Sequence, residues 1–437
     1  MHDVFISYEH ESKSIADNVV SVLESNRIRC WYAPRDVIGD YATSIVEAIN
    51  SCKVFVLILN DRASNSPQVL NEVEMAYKRI LTGEITIVPF KLDDENLSMA
   101  MEYYIKRLHW IDAENASLEN AIDDLLKQIE ELMPVGSVGS EEGLIPTKQI
   151  KRSSNKYFSD SDAKELSRLK TQEDLLLAFD RPVYEQVLAG KSDLAALDIG
   201  SNDGLAVMSR LGSREEVTAL LGIEWDAGAA ASANERYGTD TIAFRQCDCE
   251  SPELVQTVSA YLDEHGLKGF DILNLSMIIL HLQKPYKLLR QLRKFLNPGA
   301  CVVIRDIDDG LNLAYPDPDG SFARATRICD YLETSGFRTS GRQIYGMLRK
   351  AGYKEIRVEK QGLSTAGMDH DQRAALFDTY FSFVTDDLAI MCQRHPDSER
   401  CAEDRAWFED VYDDMEEAFQ DDCFFFNGGF MIFTARA

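Results

Sequence analysis

The sequence predicts an α/β protein made of two doubly wound domains in tandem. Three observations predict it. Short apolar runs alternate with helix-period segments over residues 1–134, a polar stretch rich in Gly, Ser and Pro then interrupts the chain, and the alternation restarts and runs to about residue 310. A chain of 437 residues also exceeds one ordinary hydrophobic core.

The elements follow in order. VFISY reads as a strand, SIADNVVSVLES as a helix, IRCWY as a strand and YATSIVEAIN as a helix. KVFVLILN is the strongest strand, and QVLNEVEMAYKRIL is the helix after it. ITIVPF and the short RLHWI are strands, and SLENAIDDLLKQIEEL closes the first domain as a helix. The stretch from Pro134 to Asn155 has little apolar content and reads as a linker over residues 135–155. Beyond it, LAALDIG, TALLGIEW, IAFRQCD, FDILNLS and ACVVIRD are strands separated by helical stretches. The second domain therefore spans 156–437, with a core at about 180–310 and a mostly helical cover at 311–437. FFFNGGFMIFTARA reads as a closing hairpin turning at Asn427-Gly428-Gly429.

The net charge is −27, and both domains share it. Residues 1–134 hold 12 Lys/Arg against 23 Asp/Glu, and the remainder holds 34 against 50. Such a surface repels nucleic-acid phosphates and anionic membranes, so neither is expected as a direct partner. No apolar run approaches the roughly 18 residues of a membrane helix. The start, MHDVFISYEH, lacks the features of a signal peptide. The nine Cys show no paired framework and read as reduced thiols in a cytoplasm. Residues 397–422 carry twelve acidic side chains, which read as a solvated helix surface.

Four blocks in residues 1–134 resemble the TIR family. They are Asp3 to Tyr8, Trp31 to Asp36 leading into Gly39, Ser51 to Leu59, and Ser66 to Ala76 (SPQVLNEVEMA). The resemblance implies a flavodoxin-like fold, self-association through this domain, and cleavage of NAD with Glu72 as the catalytic carboxylate. The chemistry is reasonable on its own terms. Breaking the nicotinamide–ribose bond builds positive charge on the ribose, and a carboxylate at the carboxyl edge of a parallel sheet stabilises it. Glu74, two positions on, faces another side of the helix. By resemblance Ser7, Tyr8, His10, Arg35 and Tyr41 line the NAD pocket. Arg35 either contacts a phosphate there or pairs with Asp36.

In the second domain, Ala195 to Gly204 is an apolar strand running into a glycine-rich turn and a helix, a geometry that brings backbone close to a ligand. Glu224 ends the next strand, where a carboxylate commonly holds ribose hydroxyls. Asp248 ends the third, where an acid can take an adenine amino group. Leu194 to Asp306 is similar to the class I S-adenosylmethionine-dependent methyltransferases, including Phe270 to Ser276, His281-Leu282 and Leu296 to Ala300. The family often has Gly where Asn202 stands, and Asn tolerates positive φ. The resemblance implies a Rossmann-like fold binding S-adenosylmethionine through Asp198, Gly200, Ser201, Asn202, Gly204, Glu224, Asp248 and Asn274. The turn lacks the three tightly spaced glycines of a dinucleotide site.

The methyl-transfer signatures for amino groups and cytosine rings of DNA are absent, leaving a small molecule or a protein as acceptor. His281 is a general base or a packed residue at a helix start. Arg305-Asp306-Ile307-Asp308-Asp309 faces substrate, holds a metal or is solvated; no metal is expected. Tyr315, Tyr345, Tyr380 and Phe381 read as core. Besides a signalling scaffold with two inactive domains, two functions stay open. One is an NAD hydrolase coupled to an S-adenosylmethionine-binding domain, as in a bacterial defence or signalling effector. The other is a methyltransferase whose first domain serves only protein contacts.

Overall fold

Chain contacts divide the protein into two compact units, Met1–Ser140 and Glu141–Ala437. The structure, a computed structural model, describes residues 2–33, 35–36, 41–80, 82–93, 97–113, 118–133, 163–332 and 336–437. The segment read as a linker lies outside the described residues, as does Gly39.

The first unit runs β1 (Val4–Ser7), α1 (Lys13–Ser25), β2 (Cys30–Trp31), α2 (Tyr41–Ser51), β3 (Val54–Leu59), α3 (Asp61–Asn65), α4 (Pro67–Ile80), β4 (Thr86–Lys91), α5 (Met99–Ile105), β5 (Ile111–Asp112) and α6 (Leu118–Leu132). All strand pairs are parallel, in the order β2-β1-β3-β4-β5. That is the flavodoxin-like order, with its switch point between β1 and β3. Every residue of β1 and β3 is buried, because helices cover both faces. Phe5 stacks between Trp31 and Phe55, at ring separations of 4.7 and 5.2 Å. The run RLHWI contributes only its last residue, Ile111, to β5; the pairing with β4 is two residues long.

The second unit runs α7 (Ala163–Leu188), β6 (Leu194–Ile199), α8 (Leu205–Val207), β7 (Val217–Glu224), α9 (Ala227–Tyr237), β8 (Ile242–Gln246), α10 (Glu253–Glu264), β9 (Phe270–Ser276), α11 (Pro285–Leu292), β10 (Leu296–Ile307), β11 (Leu313–Tyr315), α12 (Ser321–Tyr331), α13 (Gly341–Lys350), β12 (Lys354–Ser364), α14 (His370–Arg394), α15 (Glu399–Gln420) and β13 (Phe425–Arg436). Strands β8-β7-β6-β9-β10 are parallel, and β13 joins antiparallel to β10. Strands β11 and β12 both pair antiparallel with β13. The strand order reverses at β6, so β6 and β9 flank the switch point of this Rossmann-like sheet. Helices α12 to α15 make up most of the region after residue 310, and β11 to β13 from the same region extend the sheet.

The expected closing hairpin does not form. β13 runs straight through Asn427-Gly428-Gly429, with Gly428 opposite Leu363 and Gly429 opposite Gly362. The glycines serve close approach, not a turn. A Cβ on Gly428 would lie 1.9 Å from the Tyr380 hydroxyl, and one on Gly429 would lie 2.2 Å from the Asp308 carbonyl oxygen. Tyr380 and Phe381 are core residues, packed with Phe322, Phe419 and Phe426. Tyr315 and Tyr345 are not; they are 75% and 52% exposed. Among the described residues no helix is long and apolar enough to cross a membrane.

Candidate functional site

In the first unit, α4 buries Val69, Glu72, Val73 and Ala76. Glu72 is thus a carboxylate on the apolar stripe of an amphipathic helix, where a hydrophobic residue is the rule. Ser7 ends β1 at the switch point, and its hydroxyl donates to Glu72 Oε2 at 2.6 Å. Gln68, one turn earlier on α4, donates to Oε1 at 3.4 Å. No arginine or lysine bonds the carboxylate among the described residues. Burial pushes the Glu72 carboxyl up to about 7, against the opposing pull of the Ser7 and Gln68 hydrogen bonds. A group that changes charge near neutrality and sits at the carboxyl edge of a parallel sheet is suited to electrostatic or acid–base work.

The other residues singled out near this edge are placed differently. Tyr8 donates its hydroxyl to the Ala33 carbonyl oxygen. His10 is exposed in the single turn His10–Ser12, capped by Glu9. Arg35 takes the pairing alternative: its guanidinium bonds Asp36 at 2.8 Å, Glu24 at 2.8 Å and the Cys30 carbonyl at 2.7 Å, and it lies 4.8 Å from the Tyr32 ring centre. These bonds brace the segment after β2 against α1. Tyr41 opens α2, but its side chain lies outside the described residues. The structure therefore joins Ser7 and Glu72 directly and gives Tyr8 and Arg35 other bonds.

In the second unit the turn after β6 has Gly200 at φ +81°, Asn202 at +48° and Gly204 at +81°. Asn202 thus adopts the left-handed conformation anticipated for it. Glu224, at the end of β7, accepts the Asn202 amide at 2.8 Å on Oε2 and the Asp226 amide at 3.0 Å on Oε1. Its first visible task is to hold the turn. The Trp225 amide also bonds this carboxylate, which leaves about one lone-pair site for a hydroxyl donor. Gly222 brings β7 against Ser201: a Cβ there would sit 2.5 Å from the Ser201 hydroxyl. Asp198, at the end of β6, accepts from Asn274 Nδ2 at 2.7 Å, and Tyr184 of α7 donates to Asn274 Oδ1 at 2.6 Å. Burial raises both the Asp198 and Glu224 carboxyls. Asp248 follows β8 and caps the Glu250 amide at 2.9 Å. Asp198 and Asn274 thus meet at the switch point, and Glu224 holds the adjoining turn from the end of β7.

Residues 305–309 need correction. They neither face a substrate nor stand solvated. Arg305 is buried and bonds Asp180 and Glu173 of α7 and the Ser276 hydroxyl. Arg210 completes this cluster, bonding Asp180 at 2.7 Å and Glu173 at 2.5 Å. Asp308 pairs with Arg342 at 2.8 Å and Asp309 with Arg338 at 2.8 Å. Asp306 accepts from the amides of Leu280 and Ile307 and from Ser340. Among the described residues no cluster of His, Cys, Asp or Glu is arranged to hold a metal. His281 ends the single turn Ile279–His281 and is half-buried. Sequence reasoning missed α7 entirely, and with it Tyr184, Asp180 and Glu173. The period Leu176, Val183, Val187 was its signal, blurred by Pro182 within the helix.

Residues 4–126 match the family model of the TIR domain. No curated protein matches the chain. Solved structures similar to it include an S-adenosylmethionine-dependent methyltransferase from Mesorhizobium loti, 15% identical, covering 60% of this chain and 100% of that one with a TM-score of 0.33. The YcgJ protein of Bacillus subtilis is 14% identical, covering 59% and 98% at a TM-score of 0.35. Phosphoethanolamine N-methyltransferase 2 of Haemonchus contortus, bound to phosphomonomethylethanolamine and S-adenosylhomocysteine, is 12% identical, covering 100% and 94% at 0.36. At such scores the Rossmann-like assignment of the second unit rests on its own strand order.

Proposed function

We propose that this chain, whose residues 4–126 are a TIR domain, hydrolyses NAD at the Ser7–Glu72 pair and binds S-adenosylmethionine in its second unit. The observation that carries the reading is Glu72 itself: a buried carboxylate at the switch point, held by neutral donors only. Such a group keeps its negative charge available to a substrate. As the nicotinamide–ribose bond lengthens, positive charge grows on the ribose carbon, and the Glu72 carboxylate stabilises it in a water-poor setting. Ser7 fixes the orientation of the carboxylate and favours its ionised form. Water then takes the place of nicotinamide.

In the second unit the residues present suit S-adenosylmethionine. Glu224 keeps a lone-pair site for a ribose hydroxyl, the Gly200–Gly204 turn offers backbone to the ligand, and the Asp198–Asn274 pair stands at the end of β6 beside that turn. When bound, that cofactor supplies an electrophilic methyl group; the protein's share is to bind and orient it. Domain limits of 1–134 and 156–437 and a role in defence or signalling belong to the same proposal. Incubation with NAD, and separately with labelled S-adenosylmethionine, tests both halves. Nicotinamide release without label transfer supports a hydrolase with a binding module. Label transfer without nicotinamide release supports the methyltransferase alternative.

The proposal also holds that TIR units self-associate to act. Activity per molecule should then rise steeply across a concentration series. A flat series, with a monomer shown by light scattering, rejects self-association.

A further inference from the structure

Helices α14 and α15 form an antiparallel hairpin joined by the four residues His395 to Ser398. Cys392 lies in the last turn of α14, and Cys401 lies in the first turn of α15. Ser398 caps α15 by accepting the Cys401 amide at 3.3 Å, which fixes where that turn begins. The two Sγ atoms face each other across the hairpin at 2.7 Å. Two sulfurs this close are in contact, and a covalent bond between them needs a closure of well under 1 Å. Both residues are thiols in this structure.

We propose that Cys392 and Cys401 are a redox-responsive dithiol, oxidised to an intramolecular disulfide by a low-molecular-weight disulfide such as glutathione disulfide. The exposures set the order of events. Cys392 is half-buried, whereas Cys401 is almost wholly covered and points its Sγ toward the Leu388 carbonyl at 3.8 Å. A small disulfide therefore reaches Cys392 first. The Cys392 thiolate attacks one sulfur of the oxidant, a mixed disulfide forms, and one small thiolate leaves and takes up a proton. Cys401 then loses its proton and attacks Cys392 Sγ, and the second small thiol departs. Two cysteine thiols lose two protons and two electrons, and one small disulfide becomes two thiols. Burial pushes the Cys401 thiol up to about 12, so the second step depends on contact rather than on a standing thiolate. Six other cysteines are buried, and Cys423 is exposed with no sulfur beside it among the described residues. The pair is thus set apart by geometry, not by exposure alone.

The consequence is mechanical. A bond across the hairpin ties together the ends of two helices whose Phe377, Leu388, Phe408 and Phe419 build the core beneath them. The test uses the folded full-length chain incubated with glutathione disulfide, followed by peptide mapping without reduction. The expected product links Cys392 to Cys401, about 2 Da lighter than the reduced chain at these two residues. It should exceed the Cys392–glutathione adduct by at least about tenfold, because the second thiol is already in place. Cys423 should show only the adduct, which certifies that the oxidant was active. Cys401→Ser should trap the adduct on Cys392, with circular dichroism confirming the fold. A persistent adduct on Cys392 in the unsubstituted chain, or no reaction at Cys392 while Cys423 reacts, overturns the proposal.

Discussion

Replacing Glu72 by Gln separates the proposed catalytic role of this residue from its effect on stability. Gln has the same shape and can still accept from Ser7, but it carries no charge. The folded carboxyl titrates at about 7 instead of 4.5, because burial penalises its ionised form. The native state therefore holds this proton more tightly than the unfolded state. The group's contribution to stability is greatest below about 4.5, declines as pH rises through the window from 4.5 to about 7, and levels off above it. Across that window the difference amounts to about 3 kcal/mol. Glu72→Gln should therefore raise the stability of the TIR unit at pH 8 by up to about 3 kcal/mol and change it little at pH 4. Scanning calorimetry should show the difference as a rise of about 10 °C in the unit's transition at pH 8. The same variant should release no nicotinamide from NAD, since the charge that stabilises the developing cation is gone. A gain over the unsubstituted chain that is no larger at pH 8 than at pH 4 would refute the account of its titration. One that keeps full nicotinamide release would refute its catalytic role.

Three further outcomes follow from the same geometry. Ser7→Ala removes the donor that favours the ionised carboxylate, so the pH at which nicotinamide release is half-maximal should move up by about one unit; an unmoved profile counts against the pair. Glu224→Ala loses the acceptor of two turn amides and of the proposed ribose hydroxyl, and calorimetry should show S-adenosylmethionine binding weakened by about a hundredfold or more with circular dichroism unchanged; weakening of less than about threefold rejects the assignment. Gly428→Ala places a methyl group 1.9 Å from the Tyr380 hydroxyl, so denaturant unfolding should show a loss of about 1–3 kcal/mol, and a neutral result would mean that β13 is free to shift.

What the sequence disclosed, and what it hid, divides along the range of the interactions. The VFVLIL of KVFVLILN is β3 residue for residue, because a strand buried on both faces is a continuous apolar run. The turn around Asn202 was readable because positive φ restricts the choice of residue locally. Glu72 could be singled out because SPQVLNEVEMA resembles the TIR helix after the central strand, a pattern that is also local. Arg305 could not be read: its partners Asp180 and Glu173 lie 125 and 132 positions away, so the local string RDIDD offers no sign that its charges are paired. The glycines of β13 misled for a related reason. Asn-Gly-Gly is strong turn chemistry when only neighbours count, but here the deciding contacts come from Tyr380 and Asp308.

Eight buried carboxylates among the described residues fall into two kinds. Asp180, Asp308, Asp309 and Asp404 each have an arginine partner. To use Asp180 or Asp309 on a ligand would strip a buried arginine of its counter-charge, at a cost of about 3–5 kcal/mol, whereas the partners of Asp308 and Asp404 are arginines that reach solvent. Glu72, Asp198, Glu224 and Asp306 are held only by hydroxyl, amide or backbone donors, and burial raises the carboxyl of each. Asp306 differs from the other three in position. It is fully enclosed, and its donors come from the Ile279–His281 turn, from Ile307 and from Ser340, so its bonds are spent on joining these segments. Glu72, Asp198 and Glu224 stand at the carboxyl edges of parallel sheets, near points where strand order reverses. Under the proposed function Glu224 receives an uncharged ribose, while the ligands of Glu72 and Asp198 carry positive charge: the nicotinamide ring of NAD and the sulfonium of S-adenosylmethionine. A cation brought beside such a carboxylate supplies the charge partner that the fold withholds, and it draws the raised carboxyl back toward its ionised form. Under that proposal, Glu72 and Asp198, which bond no arginine among the described residues, leave that place to the ligand.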